Sequence, residues 1–244
     1  MPSSIDVKTV SKQFRLYHRR YDSLKERLVN FSRPTYEAFW ALRDVTFDVK
    51  DGETVALIGG NGQGKSTLLQ IAAGIMRPTE GSIVTRGRLA ALLEIGAGFH
   101  PDLTGRENIY LNGSLLGLTK KELDQKFDAI VAFAEVEKFL DNQVKHYSTG
   151  MYLRLGFAVA THVDPRIILV DEVLAVGDEG FQQKCLERMR SFQREGRTIV
   201  FVSHNLDLIQ QMCQRAVLLH DGRVVADGRA TEVIPEYRTR LAPG

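Results

Sequence analysis

The chain has 244 residues, 43% hydrophobic and 25% charged, with a formal net charge of +2. That balance belongs to globular domains; it excludes disordered, collagen-like and coiled-coil classes, and so small a charge argues against a nucleic-acid partner. Two cysteines, Cys185 and Cys213, are too few for a disulfide framework and lack metal-ligand spacing, so reduced thiols are expected.

Met1-Pro2-Ser3-Ser4 opens a polar stretch without a leader pattern. Residues 5–10 alternate like a strand. Residues 18–38 read as a basic insertion: residues 1–43 hold nine Lys/Arg against four acids, concentrated between Lys12 and Arg33. Inside it, Ser23 and Glu26 fit a capping box, Leu24, Leu28 and Phe31 share a helical face, and Arg33-Pro34 ends the helix. Residues 39–49 alternate again, and Asp51-Gly52 turns into an apolar strand over 54–59. A glycine-rich loop follows, then a helix over 65–74. Two strands are expected around Gly87, within 82–95. A helical stretch over 105–140 breaks near Gly117-Leu118-Thr119, and another helix spans 149–162. Asp164-Pro165 stops it before a buried strand over 166–170. The most apolar run, 167–176, carries Asp171 and Glu172 in its middle and is far short of the about 20 apolar residues a spanning helix needs. Helix 179–195, strand 198–203, helix 205–213, strands 216–220 and 223–226 about Asp221-Gly222, and a tail helix over 232–241 complete the chain. Alternating strands and helices argue for an α/β fold with a mainly parallel sheet.

Two segments carry chemistry. Gly59-Gly60-Asn61-Gly62-Gln63-Gly64-Lys65-Ser66-Thr67 matches the phosphate-binding P-loop, with a strand before it and a helix after. Glycines let backbone N–H groups curl around phosphate oxygens, and the helix starting at Lys65 points its positive end at them. Lys65 reaches the β- and γ-phosphates and Ser66 ligates Mg²⁺. The second is Ile167-Ile168-Leu169-Val170-Asp171-Glu172, a buried strand delivering two acids at its carboxyl end, where open α/β sheets bind ligands. Asp171 is expected to hold Mg²⁺ through water, and Glu172 to orient or deprotonate the attacking water.

Between these segments lies Tyr147-Ser148-Thr149-Gly150-Met151, which resembles the L-S-G-G-Q signature of ATP-binding-cassette ATPases, keeping Ser148 and Gly150. Asp178 resembles that family's D-loop aspartate, and His204, past a strand at Phe201-Val202-Ser203, its switch histidine. The resemblance covers residues 5–235. It implies one nucleotide-binding domain spanning 1–244. A P-loop core over 1–103 and 163–244, with an antiparallel β subdomain, is interrupted by a helical lobe over 104–162. It further implies that two copies pack head to tail and sandwich ATP between Lys65 of one and Ser148, Thr149, Gly150 and Met151 of the other.

A narrower likeness rests on Trp40-Ala41-Leu42-Arg43-Asp44-Val45, on residues 92–101, on Leu103-Thr104-Gly105-Arg106-Glu107-Asn108-Ile109 and on Asp171-Glu172-Val173-Leu174-Ala175-Val176-Gly177-Asp178. Together they resemble the ATP-binding subunits of bacterial polysaccharide exporters, nearest the O-antigen type, with teichoic acid, capsule or another cargo as the alternative. That resemblance implies ATP and Mg²⁺ as cofactors, a polytopic membrane permease as partner, and residence on the cytoplasmic face of the inner membrane. The basic insertion is expected to dock near the permease or anionic lipid headgroups. Where the family carries a metal-sensing glutamine this chain offers Glu94, with His100 as a second candidate, and the adenine-stacking aromatic is Phe14 or Tyr17. A further carbohydrate-binding domain of some relatives has no counterpart in these 244 residues, which puts glycan selection in the permease. A soluble cassette protein acting on DNA or the ribosome is the second class of reading.

Overall fold

A computed structural model describes residues 2–17, 36–93, 95–171 and 177–241. In chain order the strands are β1 (Ser3–Tyr17), β2 (Tyr36–Lys50), β3 (Thr54–Ile58), β4 (Glu80–Thr85), β5 (Leu89–Leu92), β6 (Ile167–Asp171), β7 (Thr198–Val202), β8 (Arg215–His220) and β9 (Arg223–Arg229). The helices are α1 (Lys65–Ala72), α2 (Gly105–Leu115), α3 (Lys120–Ala134), α4 (Thr149–His162), α5 (Glu179–Arg194), α6 (Leu206–Met212) and α7 (Ala230–Leu241).

The strands form two sheets. One is antiparallel, in the order β2-β1-β4; the other has six strands in the order β5-β6-β7-β3-β8-β9, parallel except for β9. The central parallel strands β3, β6 and β7 read as continuous apolar runs because both their faces are covered. Side chains alternate between those faces. Val55, Leu57, Leu169 and Val200 join a core shared with α1 and the inner face of the antiparallel sheet. Ala56, Ile58, Ile168, Val170 and Phe201 join a second core with Phe181, Cys185, Met189 and Phe192 of α5. The edge strand β9 turns back from β8 through Asp221 and Gly222, at φ 48° and 70°, the pair of positive angles a tight hairpin requires.

Between β5 and β6 the chain leaves the sheet to build a helical lobe. Its core, in which Ile109, Leu123, Ile130, Ala134, Leu155 and Val159 are fully buried, also takes in Ala90 of β5. Two capping boxes start its first helices, Thr104 with Glu107 and Thr119 with Glu122, and each satisfies backbone donors that the helix cannot. Phe133 of α3, Phe157 of α4 and Phe181 of α5 tie the lobe to the parallel core, with ring centroids 5.7, 6.0 and 6.1 Å apart.

The structure departs from the sequence pattern at the first strand. Alternation marks residues 5–10, yet β1 continues to Tyr17, because irregularities in its pairing with β2 between Val7 and Gln13 break the two-residue period. Residues 36–38, read as insertion, belong to β2. The helix expected at Ser23 to Phe31 lies outside the described residues.

At the end of α4, His162 Nδ1 lies 2.7 Å from the Ala158 carbonyl oxygen, and the ring meets Phe133 edge-on at 5.6 Å. Burial pushes the imidazole below its ordinary value, and the charges of Arg188 and Lys126 add to this, against the opposing Ala158 bond. A depressed histidine means that the unfolded chain binds the extra proton. Stability is then full above the ordinary value of 6.5 and is lost as the pH falls below it. Thermal unfolding at about pH 7.5 and about pH 5.5 should show a larger drop for the wild type than for His162→Gln. Equal drops would remove His162 from the acid sensitivity.

Candidate functional site

Three neighbouring parallel strands, β6, β7 and β3, end on the same side of the sheet. Beyond β3 comes the loop 59–64 and then α1; β6 ends in Asp171; His204 follows β7 two residues on. These groups converge on a cavity of 720 Å³, within the usual range of about 300–1,000 Å³ for small-molecule sites. Its polar lining is Asn61, Gln63, Lys65, Ser66, Thr67, Asp171 and His204. Lys65 is buried, and its Nζ donates to the carbonyl oxygens of Gly59 and Gly60, each at 2.8 Å. No side chain caps α1, so its first backbone N–H groups and its positive dipole end serve an anion at the loop.

The loop's path depends on glycine where other strands press close. Gly64 has φ +92°, and a Cβ there would fall 2.4 Å from the Ala41 carbonyl oxygen of β2. Gly59, at φ +148°, would place one 2.4 Å from Leu219 O. The β8–β9 turn closes the other side: Asp221 N–H donates to Gln63 Oε1, and Arg43 N–H donates to Gly222 O at 2.8 Å. Phe14 of β1 and Phe39 of β2 line the cavity together with Ala41.

A second cavity, of 530 Å³, is lined by Ser148, Thr149, Gly150, Met151, Leu153, Arg154, Gly177 and Asp178. Ser148 caps α4 by accepting from Met151 N–H at 3.2 Å, and Asp178 caps α5 by accepting from Phe181 N–H at 2.9 Å. That backbone bond, helped by the nearby Arg154, holds the Asp178 carboxyl below the usual carboxylate range. Arg154 pairs with both Asp178 and Glu135, the latter at 2.9 Å, and its guanidinium lies 5.1 Å from the Phe181 ring centre. Lys184 pairs with the same Glu135.

Of the residues singled out in the sequence, Phe14, Asn61, Gly62, Gln63, Gly64, Lys65, Ser66, Thr67, Asp171 and His204 share the first cavity. Gly59 and Gly60 are not among its lining residues; their carbonyl oxygens accept from Lys65. Ser148, Thr149, Gly150, Met151 and Asp178 share the second cavity, with no lining residue in common with the first. Glu94 and Glu172 lie outside the described residues, as does the Tyr17 side chain. Phe39, Ala41 and Leu93 were not expected in the lining. The signal for Phe39 is its pairing opposite Phe14, which appears only once the β1–β2 register is known. Among the described residues, no group of three or more His, Cys, Asp or Glu is placed to hold a metal, and no helix is long and apolar enough to cross a membrane.

The family pattern described as ABC transporter matches residues 42–175. The chain is 44% identical over 246 residues to an O-antigen export system ATP-binding protein of Klebsiella pneumoniae, covering 99% of this chain and 100% of that protein. It is 40% identical over 233 residues to a teichoic acids export ATP-binding protein of Listeria monocytogenes, covering 96% of this chain and 69% of that one. A solved ATP-binding subunit of an ABC transporter superposes with a TM-score of 0.76 at 26% identity, over 98% of this chain and 95% of that one. A phosphate loop, an acid and a histidine at three adjacent strand ends, and a family match over more than half the sequence, lead to one conclusion: the chain belongs to the ABC transporter family, as an ATP-hydrolysing subunit.

Proposed function

We propose that this chain powers the export of a lipid-linked polysaccharide, as a homodimer bound beneath a polytopic permease on the cytoplasmic face of the inner membrane. The observation that carries the reading is the division of the site. The phosphate loop and the Ser148–Gly150 segment line separate cavities of one chain. Two copies packed head to tail give each triphosphate a loop from one copy and a signature cavity from the other. The names of the similar proteins, O-antigen and teichoic acids export subunits, support the cargo class.

The residues suit Mg²⁺. Ser66 and Asp171 bring hard oxygen donors to the cavity that holds Lys65, and a magnesium ion needs only one or two protein oxygens beside phosphates and water. When bound, the ion offsets charge on the β- and γ-phosphates. Lys65 and the N–H groups at the start of α1 bind the triphosphate. Glu172, following Asp171, orients the attacking water and takes its proton, and His204 stands at the γ-phosphate end. Asp178 and Arg154 present the signature cavity to the second copy. Phe14, with Tyr17 as alternative, stacks on adenine; Glu94 stands in for the metal-sensing glutamine. The basic insertion, without its residues 36–38 that belong to β2, docks with the permease or anionic headgroups.

Glu172→Gln should slow ATP turnover by about 10²–10⁴, the usual share of a general base, while ATP binding persists and dimers accumulate in gel filtration. Turnover equal to wild type would assign the base elsewhere. Alanine at Arg19, Arg20, Lys25 and Arg27 should weaken glycan export, scored by surface-polysaccharide blotting, and spare ATP binding. Unchanged export would dissociate the insertion from docking.

A further inference from the structure

Three short segments meet beside the first cavity, and each touches the other two. Residues 41–43 belong to β2, residues 63–64 to the phosphate loop, and residues 221–222 to the turn between β8 and β9. The Ala41 carbonyl oxygen packs where Gly64 would carry a Cβ, and a Cβ on Gly222 would fall 2.7 Å from the same oxygen. Arg43 N–H donates to Gly222 O at 2.8 Å. The third side of this triangle is made by a side chain: Gln63 Oε1 accepts from Asp221 N–H. A backbone N–H only donates, so the Gln63 carboxamide presents its oxygen to the turn.

The two ends of that bond differ in how firmly they are held. Asp221 follows β8, whose residues 216–219 are buried between β3 and β9. Gln63 sits in the most open part of the loop. Asn61 and Gly62 are exposed, and a Cβ on Gly62 would meet nothing within 4 Å. The glycines on either side of Gln63 have φ +76° and +92°, and glycine is the backbone with the most freedom to lose on ordering. Packing therefore fixes the Gly64 side of Gln63, and the bond to Asp221 restrains the tip beyond it. No residue of β8, β9 or their turn lines the cavity among the described residues, so the turn acts on it only through its neighbours.

We infer that Gln63 is a positioning residue for nucleotide binding: its bond to Asp221 holds the tip of the phosphate loop in its binding shape before a triphosphate arrives. This rests on the reading of the cavity as the triphosphate site. Without the bond, the ligand has to order the tip as it binds, and that ordering is subtracted from affinity. The loss falls on the phosphates, which the loop encloses, and is the same whether or not a base is attached. The β8–β9 turn thereby becomes a support of the nucleotide site that touches no nucleotide.

Two measurements on the full chain test this. Hydrogen exchange at the Asp221 amide, followed by NMR without nucleotide, reads the bond itself. Titration calorimetry with Mg²⁺ and either ATP or inorganic tripolyphosphate reads its consequence. Gln63→Met keeps the length of the side chain and removes the amide oxygen. It should speed exchange at Asp221 and weaken both ligands alike by about 2- to 13-fold, the worth of one hydrogen bond. Gln63→Glu keeps an acceptor oxygen and should retain wild-type exchange in the free chain. Wild-type exchange in Gln63→Met would overturn the inference, as would faster exchange with unchanged affinity for both ligands. A loss confined to ATP would overturn it too, by placing Gln63 against the base or sugar, and equally fast exchange in Gln63→Glu would do so by assigning the effect to packing. A wild-type chain that binds neither ATP nor tripolyphosphate would instead overturn the reading of the cavity itself, while exchange at Asp221 still reports the bond.

Discussion

A single close approach organises this molecule: the carbonyl of Ala41 lies where residue 64 would carry a Cβ, only 2.4 Å away. Glycine at that place, at φ +92°, lets β2 lie against the phosphate loop, and with β2 comes the whole antiparallel sheet. The consequence is a shared core. Val45 and Val49 of β2, with Ile5, Val7 and Val10 of β1, pack against Leu68, Leu69 and Ile71 of α1 and against Val55 and Leu57 of β3. Side chains of this size contribute about 1.5–3 kcal/mol each when fully buried. The loop is therefore shaped from outside, by two sheets and a helix that cannot separate without exposing that core. Its own hydrogen bonds are the smaller part of what holds it.

The helical lobe is joined to the core by a different kind of contact. Phe133, Phe157 and Phe181 supply the apolar part, and the charges Lys184, Glu135, Arg154 and Asp178 alternate in sign around them. Several of these charges are well exposed, so their pairing adds little to stability. What the pairing adds is direction. Arg154 leaves α4 six residues past Ser148 and reaches the aspartate that caps α5, so the 148–151 segment and the 177–178 loop are tied into one surface. Such pairing fixes groups in place without adding much strength, and groups already ordered cost less free energy to bring into any association.

How far the sequence discloses this depends on how local each cause is. The helix 149–162 is legible to the residue because its start is a serine cap and its end is followed by Asp164-Pro165, both within the segment. The phosphate loop is legible for the same reason: strand, glycines, lysine and helix are contiguous. β1 is misjudged beyond Val10 because its pairing irregularities shift the alternation that would have marked it. Phe39 is hidden because its partner Phe14 lies across an insertion, so no short-range hairpin signal links them. The pairing of Arg154 with Glu135 and Asp178 joins positions 19 and 24 residues apart on three elements, and no spacing rule anticipates it. Sequence reading recovers what is decided within a turn or two and misses what is decided by register and by the packing of distant elements.

Lys65 shows how the site is prepared for its substrate. Its ammonium is buried, a costly placement for a charge, and the Gly59 and Gly60 carbonyl oxygens accept from it at 2.8 Å. Those acceptors are neutral. A phosphate oxygen is charged, and charge-assisted bonds are about twice as strong as neutral ones. Against these two loop carbonyls, a phosphate oxygen would be the stronger acceptor for Lys65. The lysine need move little, the loop keeps its shape, and the attraction is directed to phosphates and not to the base.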